Sequence, residues 1–245
     1  MVGLFRHSLW RKLPAGLIGV AWLALVLGGL KFLLDYQSGA GRPAVAPQIW
    51  PATSRIERDP ARATLVLIAH PHCPCTRATM AELEHVMARA ANRLRCVVVF
   101  SIPPGRPEAW GHSELWRTAA RIPGVERLAD RDGVEARRFG TITSGQALLY
   151  DREGRLVFSG GITPGRGHAG DNAGRDAIVA FALGEQRPAG LTAPPALPAL
   201  PAATPAHRGA PPEEWLVPVS STPVFGCALS CPHDSLTPGG DPCRK

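Results

Sequence analysis

Two cysteines separated by a single proline, Cys73-Pro74-Cys75, stand where an apolar run ends and a helical pattern begins. Two thiols this close can exchange with a disulfide or share a soft metal ion. Either chemistry needs the thiolate, so the local surroundings must hold the thiol pKa below its free value of about 8.5. A helix start does this with unpaired N–H groups and a partial positive charge. His72, when protonated, and Arg77 in the first turn add positive charge nearby. By position Cys73 attacks and Cys75 resolves the mixed disulfide. Closing a disulfide across Pro74 alone makes a small strained ring, and strained bridges are the more oxidising ones. An oxidising or isomerising character is therefore expected over a strongly reducing one.

The chain has six cysteines, and the others fall apart from this pair. Cys96 opens an apolar run and reads as packing. His70 ends a strand and reads as a hydrogen-bonded structural group. Near the C-terminus, Cys227 and Cys231 form a Cys-x3-Cys pair, with His233 and Cys243 beyond. Three readings stay open for this group: a local Cys227–Cys231 disulfide, a zinc or copper(I) site, or an unpaired tail. A long linker also lets the tail reach Cys73 as an intramolecular redox partner.

The elements that must position these residues follow from periodicity. Thr64 to His70 is a continuous apolar run, as expected of a buried central strand. A helix follows over 76–94, with Met80, Leu83, Val86, Met87, Ala90 and Leu94 on one face. Thr79 to Glu82 fits a capping box at its start. Cys96 to Ser101 is a second buried strand, so the three elements form a parallel βαβ unit. A helix capped by Ser113, a strand over 126–129 and a short helix over 132–139 come next. Gln146 to Tyr150 and Leu156 to Ser159 are strands around a turn signal, which reads as a hairpin. A glycine-rich loop over 160–170 leads to a last helix, capped by Asp171 or Asn172 and ending near Leu183.

This order, with cysteines between the first strand and first helix, resembles the thioredoxin-like superfamily over residues 62–186. The resemblance implies an α/β three-layer sandwich: a βαβ unit, then a β-hairpin and a C-terminal helix. Within it, residues 70–77 (His-Pro-His-Cys-Pro-Cys-Thr-Arg), 160–163 (Gly-Gly-Ile-Thr) and 166–172 (Arg-Gly-His-Ala-Gly-Asp-Asn) are similar to membrane-anchored RedB-type proteins. Two departures matter. The family's motif has two residues between its cysteines. The family also places a cis-proline just before the hairpin, where this chain has Thr143-Ser144-Gly145; the resemblance implies that its loss leaves room for metal. It further implies that the loop after the hairpin returns beside the cysteines, bringing Arg166, His168, Asp171 and Asn172 close. His168 then serves as a general base or, with Cys73 and Cys75, as a ligand to copper. No cofactor is required for thiol exchange. No peroxidase motif surrounds Cys73.

The remaining chain sorts by composition. Leu13 to Leu34 is apolar and about the ~20 residues that cross a ~30 Å hydrocarbon layer. Arg6, Arg11 and Lys12 precede it, while Lys31 is offset by Asp35, so the N-terminus is expected in the cytoplasm. Residues 1–36 then form a single-pass anchor in a bacterial inner membrane, with a cleaved signal peptide as the alternative. Residues 37–62 read as a tether, 63–186 as the domain, 187–212 as a Pro/Ala-rich linker and 213–245 as the cysteine-bearing tail. The partners expected are protein thiols or disulfides in the periplasm. The net charge of +7 is spread thinly along the chain. Nucleic-acid binding needs clustered charge, so it is not expected.

Overall fold

The computed structural model describes residues 15–42, 45–90, 92–184 and 220–229. The linker 187–212, Trp215, Cys231, His233 and Cys243 lie outside them. The chain divides into two units, residues 1–39 and 40–245.

The first unit contains helix α1, Ala15–Ser38. Its stretch Gly16–Ser38 is 23 residues with a mean hydropathy of 2.2, long and apolar enough to cross a membrane. Lys31 and Asp35, one turn apart, form an ion pair on it at 2.8 Å.

The second unit is built on strands β1 (Ala63–Ala69), β2 (Leu94–Ile102), β3 (Val125–Arg131), β4 (Gln146–Tyr150), β5 (Leu156–Gly161) and β6 (Ser220–Ser221). They form one sheet in the order β3-β2-β1-β4-β5-β6. Helix α2, Thr76–Ala90, crosses from β1 to β2, and these two strands are parallel, as a helical crossover requires. β3 adds parallel to β2, whereas β4 and β5 form an antiparallel hairpin beside β1. The fold is thioredoxin-like.

Period-two alternation splits the core between two faces. Leu65 and Leu67 of β1 point to one face, against Met80, Leu83 and Met87 of α2 and Ile178 of α6 (Ala173–Leu183). Leu115 and Ala119 of α4 (Glu114–Arg121) close the same side. Val66 and Ile68 point to the other face, with Val97, Val99, Leu148 and Tyr150. There a single short helix, α5 (Val134–Arg138), supplies Ala136, and Phe139 follows it.

What completes that second layer is the segment before β1, which composition alone assigns to a tether. Ala46 and Ile56 are buried in it. Trp50 sits edge-on to Phe139 and Tyr150, with ring centres 5.2 and 5.1 Å away. The Tyr150 hydroxyl donates to Pro47 O at 2.9 Å, and Leu156 N–H to Gln48 O at 2.8 Å. The Ser54 hydroxyl and the Arg55 N–H both donate to the buried carboxylate of Glu135. Residues 45–62 are thus part of the domain.

The expected capping box is also absent. Thr79 lies inside α2 rather than before it, and Glu82 is fully buried. Its carboxylate accepts from Gly170 N–H at 2.6 Å and from Arg175 Nη1 at 3.0 Å. It ties α2 to the loop before α6 and to α6 itself.

Trp50→Ala should lower the unfolding free energy by about 2 kcal/mol or more, short of the ~3–5 kcal/mol of a fully buried tryptophan. Urea unfolding reads this directly. A free tether at residue 50 would leave stability unchanged.

Candidate functional site: three sulfurs at the start of α2

The turn 70–75 joins the end of β1 to α2. Cys73 N–H donates to His70 O at 3.1 Å, and Thr76 N–H donates to Cys73 O at 3.2 Å. This winds the chain so that Cys73 and Cys75 both turn inward, while His72, Pro74 and Arg77 face solvent. Cys73 is 2% exposed and Cys75 7%.

A third sulfur joins them. Cys227 Sγ lies 3.0 Å from Cys73 Sγ, and the sulfurs of Cys73, Cys75 and Cys227 are all within 4.8 Å of one another. All three are thiols. The segment 220–229, termed the strap below, carries Cys227 to this place. β6 pairs parallel with β5, with Phe158 opposite Ser220. The strap then crosses the end of the hairpin and runs antiparallel beside residues 142–144. Ser144 N–H donates to Cys227 O at 2.8 Å, and Leu229 N–H to Ile142 O at 2.9 Å. Leu229 is buried in the second core face.

The site's electrostatics follow from this contact. The Cys73 thiol is held far below its ordinary value, first by a hydrogen bond from the Cys227 thiol and second by one from Cys75. The Thr76 hydroxyl adds a further donor, and burial opposes all of them. Cys227 is pushed up, because its proton is engaged by Cys73, then by Cys75, and because it is buried. Cys75 is pulled down by Cys227 but pushed up more by Cys73, by burial and by the negative charge beside it. Of the three sulfurs, Cys73 is therefore the one on which negative charge is favoured. Cys96 lies in the core on β2, and burial pushes its thiol up to about 12, so it stays protonated.

The residues expected to support the site separate into two groups. Arg166 is near: its guanidinium donates to Gly226 O at 2.8 Å and its charge favours the Cys75 thiolate. Gly145 is near too, with φ +89° and its N–H on Ile68 O at 2.8 Å. No peptide bond is cis among the described residues. The others are engaged elsewhere. Arg77 pairs with Glu114 at 2.7 Å on the outside of the domain. His72 Nε2 meets Trp110 O at 3.0 Å. His168 is exposed with Nδ1 against Arg166 O at 2.8 Å, and it is not among the ligand atoms that come together. Asn172 caps α6 through Arg175 N–H, and its amide donates to Glu82. Asp171 pairs with Arg175 at 3.1 Å.

Two residues take places at the site that their sequence context does not show: Ser144 and His70. Ser144, fully buried, accepts from His70 N–H at 2.8 Å and shares a hydrogen bond with Thr76 Oγ1 at 2.8 Å. It thereby pins both ends of the cysteine turn to the strap's docking edge. His70 is buried beside Cys73; burial holds its imidazole below the usual histidine range, with the Cys73 charge opposing. Its Nδ1 accepts from His72 N–H at 3.3 Å, and its Nε2 has no partner among the described residues.

No family model and no curated protein matches the sequence. Solved structures do resemble it. An uncharacterised conserved protein from Geobacillus kaustophilus is 17% identical, over 61% of this chain and 91% of that one, with a TM-score of 0.45. A hypothetical protein from Sinorhizobium meliloti is 18% identical over 79% and 97%, with a TM-score of 0.48. A secreted Mycobacterium tuberculosis disulfide oxidoreductase homologous to E. coli DsbE is 17% identical over 51% and 82%, with a TM-score of 0.37. Likenesses this remote carry no information on activity.

In the reduced protein, one thiol should titrate well below the ordinary cysteine value of about 8.5. Cys227→Ala removes its first hydrogen-bond donor, so that titration should move up. Thiolate ultraviolet absorbance against pH measures both. An unmoved midpoint would show that the Cys227 thiol does not stabilise Cys73.

Proposed function

We propose that this chain is a membrane-tethered thiol–disulfide exchange protein acting on protein thiols or disulfides outside the cytoplasm, with Cys73 as the attacking sulfur. The observation that carries this reading is the Cys73 sulfur at the entry to α2, 3.0 Å from the Cys227 sulfur and within 4.8 Å of the Cys75 sulfur. Those neighbours favour the Cys73 thiolate, and thiolate is the form that attacks disulfides. Attack on a substrate disulfide forms a mixed disulfide with Cys73 and expels one substrate thiolate. A neighbouring thiol gives its proton to that thiolate, attacks the Cys73 sulfur and releases the second substrate thiolate. The reverse sequence oxidises a substrate dithiol. The likeness of residues 70–77, 160–163 and 166–172 to RedB-type proteins supports the same reading.

Helix α1 supports the tether. With Arg6, Arg11 and Lys12 before it, the positive-inside bias puts the N-terminus in the cytoplasm and the domain in the periplasm of a bacterial cell. Disulfide chemistry persists in that compartment.

One observation favours a second reading, metal handling. Three sulfurs within 4.8 Å of one another form a soft donor set, which suits copper(I) or zinc. Cys73, Cys75 and Cys227 would hold the ion, which would keep all three sulfurs as thiolates. His168 belongs to that donor set only if its loop moves.

Disulfide exchange with an oxidised model protein separates the readings. Wild type should catalyse it and Cys73→Ser should fall to background, while reduced wild type binds no stoichiometric metal in anaerobic copper(I) titration. One tightly bound equivalent, with no exchange, would favour metal handling.

A further inference from the structure

We infer that Cys227 is the working partner of Cys73, so that oxidation of the site forms the Cys73–Cys227 disulfide in preference to Cys73–Cys75. The inference deepens the exchange reading above and rests on it.

Geometry is the first support. Cys73 and Cys227 sulfurs are already in contact at 3.0 Å. Cys227 is not the end of a wandering tail. Its carbonyl is bonded to Ser144 N–H, and the residue two further on is bonded to Ile142. Val224 O accepts from Gly41 N–H at 2.7 Å, and Thr222 Oγ1 donates to Gly161 O at 2.7 Å. Backbone bonds on both sides of the sulfur thus fix its position. Docking replaces a random search with a high effective concentration.

Glycines on both sides of the contact are the second support. A Cβ at Gly160 would stand 2.6 Å from both N and O of Thr222, and one at Gly161 would strike the Pro223 carbonyl. On the strap, a Cβ at Gly226 would strike the Ser144 carbonyl. The Gly160-Gly161 pair, and Gly226 next to Cys227, are the residues that let two backbones approach this closely. The backbone the pair lets in is that of the strap.

Ring size is the third. A disulfide across Pro74 closes over one residue and strains both cysteines. The Cys73–Cys227 bond joins two separately held segments, 154 residues apart in sequence. Strain favours the reduced form, so the long-range bond should form at lower potential. With a low-molecular-weight disulfide RSSR as oxidant, Cys73 thiolate attacks RSSR and expels RS⁻. The Cys227 thiol gives its proton to that RS⁻, and its sulfur attacks the Cys73 sulfur, expelling the second RS⁻. Two thiols are oxidised and one disulfide becomes RSH and RS⁻. Cys75 remains a thiol beside the new bond, placed to reopen it.

The test uses the full chain in detergent, reduced and then equilibrated in glutathione buffers of rising potential, acid-quenched, alkylated and mapped by peptide mass spectrometry. The Cys73–Cys227 peptide should appear first, with Cys75 alkylated, and should persist in Cys75→Ser. A Cys73–Cys75, Cys75–Cys227 or Cys227–Cys231 bond appearing first overturns the inference. Gly226→Val, which keeps every cysteine, should slow Cys73–Cys227 formation by about tenfold or more by undocking the strap. Gly160→Val should do the same from the other side, and an unchanged rate in both overturns the inference. Exchange activity is measured in parallel on Cys227→Ala. Activity retained there while wild type makes no Cys73–Cys227 bond rejects this inference alone. No Cys73 disulfide at any potential in any form rejects the exchange reading as well.

Discussion

The arrangement depends on two stretches of backbone lying closer together than side chains would permit. Residues 222–226 cross Gly160, Gly161 and the Ser144 carbonyl at distances that leave no room for a Cβ. That approach lets Ser144 and Ile142 bond the strap. Those bonds bring a sulfur from residue 227 to one at residue 73. Side chains at these glycines would lift the strap away, and the site would revert to a cysteine pair without its third member.

The charge balance of the site follows from that contact. A lone thiol buried as Cys73 is would be pushed toward the protonated form, as Cys96 is. Cys73 goes the other way because two thiols and a threonine hydroxyl donate to it. Burial and activation coexist here because Cys75 and Thr76 are buried beside Cys73 and Cys227 is half-buried against it. The expected sources of activation, the His72 and Arg77 charges, are occupied by Trp110 and Glu114 at the surface. An exposed ion pair such as Arg77–Glu114 is screened and contributes little.

Much of the fold was legible because its signals are local. β1 and β2 are unbroken apolar runs, the hairpin has a turn signal between two such runs, and Ser113 and Asn172 cap their helices as their types suggest. The N-terminal segment and the strap were not legible for one shared reason. Each is held by partners about 80 to 150 residues away, such as Ser54 on Glu135 or Cys227 on Cys73. Neither has a period of its own, so composition reads the first as a tether and the second as a cysteine-bearing tail. Glu82 misled for a related reason: its position suits a cap, but its partners Gly170 and Arg175 lie in another element. The cysteine turn itself was placed correctly between strand and helix, and the tail cysteines were read as able to reach Cys73, but not as docked on residues 142–144.

Amide hydrogen exchange of the reduced Cys227→Ala protein tests the docked strap most directly, because no sulfur contact can then hold it. Protection of the Ser144, Leu229 and Gly41 amides to within the range of the β4–β5 hairpin is the result this structure requires. Exchange of those three amides at the rate of an unstructured peptide would contradict it, and would leave Cys73 and Cys75 without a third sulfur.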